Sequence, residues 1–115
     1  MKKVLVVDDS PVDLMNLQGI LSSAGMVVIT AATGAEAVAK AKSEKPELIM
    51  MDVNMPGLDG FSAARQLGQD PITKVIPVIF VTSKDQKADR VFAQMLGAKG
   101  FVTKPYTAEQ ILTLI

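Results

Sequence analysis

Five short apolar runs, separated by stretches with helical spacing, constrain this chain more than any other feature of its sequence. Lys3–Val7 is a β-branched and leucine run that stops abruptly at Asp8 and Asp9. Met26–Ala31, Leu48–Met51, Val78–Val81 and Gly100–Val102 are the others. A short, continuous apolar run bounded by turn residues reads as a strand buried on both faces. Five such strands alternating with helices predict a parallel sheet covered on both sides. Right-handed crossovers make it an open, doubly wound α/β fold.

Local signals place the helices. Ser10 and Pro11 supply an N-cap and a proline at the first helical position; Leu14, Leu17 and Leu21 follow, and Gly25 ends the helix. Thr33 and Glu36 predict a capping box opening an alanine-rich helix that Pro46 bounds. Asp59 caps a third helix carrying Phe61, Ala64 and Leu67, with Gly68 marking its end. Ala88, Val91, Phe92 and Met95 make an i, i+3, i+4, i+7 stripe on a fourth, closed by Gly97. Thr107 and Gln110 open a last helix with Ala108, Ile111, Leu112 and Ile115 on one face. This helix stops after about two and a half turns, so either it is short or the chain was once followed by more sequence. The 115 residues read as one domain, and the seven methionines, including Met50, Met51 and Met55, as core filler, with Met55 and Met95 placed near a binding surface.

In open parallel sheets, ligands gather beyond the carboxyl ends of the strands. Four of the five predicted strands deliver a polar or charged residue to that edge: Asp8 and Asp9, Asp52, Thr82, and Lys104 just past the fifth. Asn54, Pro56, Gly57 and Gly60 make the segment after Asp52 a loop. Singly, each has an ordinary structural role. The Asp pair complements a helix dipole, Asp52 forms a turn, Thr82 caps a helix, and Lys104 is a solvated amine. Collected on one edge, in a chain with no other candidate chemistry, they read as a site.

Composition narrows that chemistry. The chain has no Cys, which excludes disulfides, thiolate nucleophiles and Cys-ligated zinc, and no His, which removes Ser-His-Asp hydrolysis and the commonest general base. Twelve basic and twelve acidic residues balance, so bulk charge does not point to nucleic acid. No run approaches the ~20 apolar residues of a membrane span, and the N-terminal stretch is too polar for a signal peptide. The expected setting is cytoplasmic, with neither a nucleic-acid nor a membrane partner. What remains is carboxylate, hydroxyl and amine chemistry, suited to hard cations and phosphoryl groups. Two like charges about 5 Å apart at an effective dielectric near 20 repel by roughly 3 kcal/mol. Three clustered carboxylates therefore need a proton or compensating cations. Lys104 supplies one positive charge and a divalent metal two, and an all-oxygen site selects magnesium or manganese over zinc or copper.

The order DD, DVNMPG, VTS and FVTKP resembles the receiver domain of two-component response regulators, over essentially the whole chain. The resemblance implies a flavodoxin-like fold of strand order 2-1-3-4-5 occupying residues 1–115. It implies that Asp52 accepts a phosphoryl group from a phosphohistidine on a sensor histidine kinase or phosphotransfer protein. Asp9 would then hold Mg2+ directly, Asp8 partly through water, with Asp52 and the main-chain carbonyl of Asn54 as further ligands. Lys104 and the metal would neutralise charge on the phosphoryl oxygens. Thr82 would reach a phosphoryl oxygen, and Phe101 would be the switching aromatic that enters the space Thr82 leaves. The Lys104–Pro105 bond is expected cis. Lys84 would influence how fast water reaches the phosphoryl group.

By the same resemblance the domain is not a classical enzyme and catalyses only its own phosphorylation and dephosphorylation. Its unidentified output protein would dock on the face built from the fourth helix, fifth strand and last helix, and the chain would be a monomer or a weak phosphorylation-dependent dimer. The stretches LIMMDVNMPGLDGF and VTSKDQKAD look most like stand-alone regulators of chemotaxis or pilus-driven motility. The alternatives are a phosphate sink and a phosphorylation-independent interaction module of the same fold. A flavodoxin-like cofactor binder fits less well, because DDSP after the first strand would repel phosphate in the absence of a metal. A metal-dependent phosphatase has little room for a substrate lid.

Overall fold

In the computed structural model, which describes residues 2–115, strands β1 (Lys3–Val7), β2 (Val27–Ala31), β3 (Leu48–Met51), β4 (Val78–Thr82) and β5 (Gly100–Thr103) all pair in parallel. Their order is β2-β1-β3-β4-β5: the alternation of elements predicts the doubly wound sheet, and the family resemblance implies this strand order. Helices α1 (Pro11–Ser23), α2 (Gly34–Glu44), α3 (Gly60–Gln69), α4 (Lys87–Met95) and α5 (Ala108–Thr113) connect and follow the strands. No helix among the described residues is long and apolar enough to cross a membrane.

Successive side chains of a strand point to opposite faces, and the sheet divides its core accordingly. Leu5, Val7, Ile49, Met51 and Phe80 pack with Ala37 and Ala41 of α2, Ala63 and Leu67 of α3, and Ala93 of α4. Val4, Val6, Leu48, Met50, Ile79 and Val81 face the other way, onto Leu17 and Leu21 of α1 and Ile111 of α5. Register then positions the site. Val7 lies beside Met51, so Asp8 and Asp52 leave adjacent strands at the same level. The Asp52 N–H donates to the Val7 carbonyl at 3.0 Å and the Lys104 N–H to the Thr82 carbonyl at 2.9 Å, carrying the ladder to the edge of the cleft.

Several local expectations need correction. On α4 the predicted stripe holds only at Phe92, which is part-buried against Phe61: Asp89 and Ala93 are buried, whereas Val91 is 46% and Met95 78% exposed, and Ala88 is exposed too. A charged residue can take the inner position because the Asp89 carboxylate accepts from the Gln86 N–H at 3.1 Å and pairs with Lys84 at 3.4 Å. Thr33 caps α2 by accepting from the Glu36 N–H, but Glu36 returns to the N–H of Ala32 rather than that of Thr33, so the box is not closed. Gly68 does not end α3, which runs on to Gln69. The last helix has six residues; of its predicted face only Ile111 is fully buried, while Ala108 is exposed and Leu112 38% exposed.

The phase of α4 and the burial of α5 are separable by stability. Ile111→Ala should cost about 2–5 kcal/mol, since it empties a fully enclosed position. Val91→Ser and Met95→Ser should stay within about 0.5 kcal/mol of wild type. Urea unfolding midpoints read the difference; a large loss in either α4 variant would restore the predicted stripe.

Candidate functional site

Lys104 lies immediately after β5, and its ammonium is the centre of the cleft. Nζ donates to Asp8 Oδ2 at 2.7 Å, to Asp13 Oδ2 at 3.0 Å and to Asp52 Oδ2 at 3.2 Å. The other oxygens of the two strand-tip carboxylates are held by main chain: Asp8 Oδ1 accepts from the Ser10 N–H at 2.9 Å, Asp52 Oδ1 from the Val53 N–H at 2.7 Å. Each acid is thus fixed from both sides, by the turn that follows its own strand and by a lysine from the far end of the chain. Asp8 and Asp52 are buried; Asp9 is exposed. The cleft has a volume of about 570 Å³, and Asn54, Ser83 and Tyr106 also line it.

The electrostatics follow from this packing. Burial pushes the Asp8 carboxyl above its usual value of 3.8; hydrogen bonds from Lys104 and the Ser10 N–H and the Lys104 charge pull against it, and the Asp52 charge adds to the rise. For Lys104 burial is also the largest influence, and it acts downward. Hydrogen bonds to Asp8 and Asp13, with the charges of Asp52 and Asp8, overcome it and hold the ammonium above the ordinary lysine value. The two shifts are compatible, because the ammonium faces three carboxylates whereas Asp8 faces one ammonium and a like-charged neighbour.

Asp8, Asp9 and Asp52 each offer an oxygen, and these oxygens lie within 4.8 Å of one another. A compact set of carboxylate oxygens suits a hard divalent cation, and Mg2+ prefers one or two carboxylates with the rest of its shell left to water. The donor set fits that ion.

Other predicted residues stand further back. Thr82 is fully buried and does not line the cleft; its Oγ1 accepts from the Lys84 N–H at 3.1 Å. Its hydroxyl hydrogen is the group available to a new acceptor. Lys84 pairs with Asp89 and lines a separate depression between α3 and α4. Phe101 is half-buried beside Phe80 on the neighbouring strand, with the Arg90 guanidinium 4.9 Å above its ring. Arg90 also donates to Thr103 Oγ1 at 2.9 Å and pairs with Asp85 at 2.6 Å. The Lys104–Pro105 bond is cis. Met50, Met51 and Met55 are buried, as core filler should be, but Met15 and Met95 are exposed on helix surfaces, so the core-filler reading fails for those two.

Asp13 is the residue the sequence reading missed. Its only signal was an acidic side chain in the first turn of the helix that follows the Asp8–Asp9 pair, which the helix dipole explains without a site. Tyr106 and Asn16 were missed as well; Asn16 Nδ2 donates to the Tyr106 hydroxyl at 3.5 Å beside the cleft.

Known proteins are similar to this chain in sequence and in fold. The model of the response regulator receiver domain family matches residues 4–115. Protein PilH of Pseudomonas aeruginosa is 45% identical over 115 residues, covering 100% of this chain and 95% of that protein. Chemotaxis protein CheY4 of Vibrio cholerae superposes with a TM-score of 0.92 at 34% identity, covering 98% of this chain and 94% of that one. The receiver domain of sensor histidine kinase PA1611 from Pseudomonas aeruginosa, solved with a magnesium ion in its active-site cleft, gives 0.90 at 28% identity, covering 98% and 93%.

Proposed function

The chain belongs to the response regulator receiver domain family, and from that membership we propose that Asp52 is its phosphoryl acceptor and residues 1–115 its receiver unit. As a receiver domain it serves phosphorylation-dependent two-component signalling and implies a histidine kinase or phosphotransfer protein as donor. The observation that carries the reading is the Lys104 ammonium held 3.2 Å from Asp52 and 2.7 Å from Asp8, inside a carboxylate cluster that fits a divalent cation.

In the proposed reaction a carboxylate oxygen of Asp52 attacks the phosphorus of a donor phosphohistidine. The O–P bond forms as the N–P bond breaks, and the bonding pair returns to the imidazole. Asp8, Asp9, Asp52 and the Asn54 carbonyl would hold Mg2+, or Mn2+ in its place. The bound cation supplies positive charge that stabilises the phosphoryl oxygens and offsets the carboxylates. Lys104 turns its ammonium to a phosphoryl oxygen, and Thr82 offers its hydroxyl hydrogen to another. Attack of water on the acyl phosphate returns Asp52 and releases phosphate, so the domain catalyses its own modification and its reversal. Movement of Thr82 frees space for Phe101, which alters the face of α4, β5 and α5 that an output protein reads. The likeness to a chemotaxis protein favours a motility pathway in the cytoplasm.

Mg2+ with beryllofluoride, a phosphoryl mimic, tests the reading. The chain carries a single Tyr, Tyr106 at the cleft, and no Trp, so its fluorescence reports on the site. Wild type should respond to the mimic only when Mg2+ is present, and no response would remove the proposal. Thr82→Ala should still bind the mimic but lose the chemical-shift change at the Phe101 ring; an unaltered change would detach Thr82 from the switch.

A further inference from the structure

An ammonium has three N–H donors and no acceptor. In Lys104 all three are spent, on Asp8, Asp13 and Asp52. An anion carried on Asp52 is reached by this ammonium only when one of the three bonds is given up. The three acceptors are not equivalent. Asp8 and Asp52 belong to the carboxylate cluster that fits a cation, and their side chains are 7% and 10% exposed. Asp13 stands outside that cluster, on the first turn of α1 at the solvent side of the cleft, with its side chain 43% exposed.

Two consequences follow from this placement. A cation held by Asp8 and Asp52 would compete with Lys104 for their oxygens, whereas Asp13 stands outside the set that would hold it. The ammonium would then be left with Asp13, on α1, as the one acceptor that the cation does not claim. Asp13, which lines the cleft and is partly open to solvent, also adds a like charge that an incoming anion would meet. Four carboxylates against one ammonium leave three negative charges, and a divalent cation leaves one.

We propose that Asp13 is a positioning residue that competes for the Lys104 ammonium and so restrains the uptake of an anion at Asp52. This rests on Asp52 being the phosphoryl acceptor. Asp13 touches neither the phosphoryl group nor the metal; it acts through Lys104. A purely structural acid in a first helical turn would alter stability by its dipole interaction alone and would leave the lysine's partners unchanged.

Calorimetric titration with Mg2+ alone, then with beryllofluoride at saturating Mg2+, separates the two roles. Asp13→Asn should bind beryllofluoride roughly two- to fivefold tighter than wild type, the span expected for loss of one partly exposed competing ion pair. It should bind Mg2+ no tighter, because it has lost a negative charge. The ammonium resonance of Lys104 in a 15N spectrum should shift in the unliganded variant. Unchanged or weaker beryllofluoride binding, an equal tightening for Mg2+, or an unmoved Lys104 resonance would each overturn the proposal. Asp52→Asn serves as the control for the premise: if it binds beryllofluoride as wild type does, the acceptor assignment falls, while the Lys104 resonance still judges the Asp13 contact.

Discussion

Asp52→Asn is expected to acquire no phosphoryl group from a small phosphodonor and to bind no beryllofluoride, while remaining folded. The amide oxygen of Asn carries no charge and its lone pair is delocalised, so it does not attack phosphorus at a useful rate. The substitution preserves shape: an amide oxygen can still accept from the Val53 N–H that now holds Asp52 Oδ1. What it removes is one of the three cluster carboxylates and one of the three acceptors on Lys104. Intact-mass spectrometry after incubation with donor and Mg2+ reads the outcome, and a phosphorylated Asp52→Asn would displace the acceptor to another residue. Metal linkage gives a second readout. A ligand at about ten times its dissociation constant stabilises a fold by roughly 1.4 kcal/mol, and Mg2+ should raise the melting temperature of wild type by more than that of the variant. The gain in wild type should also grow with pH. Asp8 has a folded-state pKa above the ordinary 3.8, so its contribution to stability is complete below that value and is lost as pH rises through the folded value. Ionised Asp8 therefore costs most once pH has passed its raised folded-state value, and there the cation has most repulsion to relieve.

How much of this was readable in the sequence depended on how far apart the interacting groups lie along the chain. Strand ends were readable because the break from Val7 to Asp8, or from Met51 to Asp52, is local, and parallel register brings both to one level. Local caps were readable for the same reason: Ser10, Asp59 and Thr107 accept from the N–H three residues on, as their types predict. The convergence on Lys104 was not local. Its partners lie 96, 91 and 52 residues away, and Asp8 and Asp52 were joined to it by the strand-edge argument and the family resemblance, not by any local pattern. Asp13 carried no motif and stayed invisible. On α4 the apolar residues suggested one face, yet burial followed Asp89 and Ala93. Hydropathy counts Asp89 as polar, but Lys84 and the Gln86 N–H satisfy its carboxylate inside the fold. A pattern rule misses a charge whose partners are supplied by the turn before its own helix.

Gly60→Ala should be among the most damaging single-methyl substitutions in the chain, because the added carbon has nowhere to go. A Cβ on Gly60 would fall 2.1 Å from the Asp52 carbonyl oxygen and 2.9 Å from both the Asp52 carbonyl carbon and the Val53 Cα. These are backbone atoms, so no side-chain rotation relieves the clash. The segment that follows Asp52 is closely approached by α2 as well, since a Cβ on Gly34 would lie 2.2 Å from the Leu58 carbonyl oxygen. Gly60 is also tied in by its N–H, which donates to the Val53 carbonyl at 2.8 Å. Relief therefore requires α3 to back away from the loop, at a cost of about 1–3 kcal/mol or more, with a fall in melting temperature of roughly 4–8 °C per kcal/mol. The same displacement shifts the main chain of Asp52 and should weaken beryllofluoride binding beyond what lost stability explains. Gly68→Ala in the same helix is the matched control. Nothing lies within 4 Å of its added carbon, and removing a helical glycine should stabilise by roughly 0.5–1 kcal/mol. If Gly60→Ala melts and binds the mimic as wild type does, the loop after Asp52 is pliable, and the close approach of α3 is not what holds the acceptor in place.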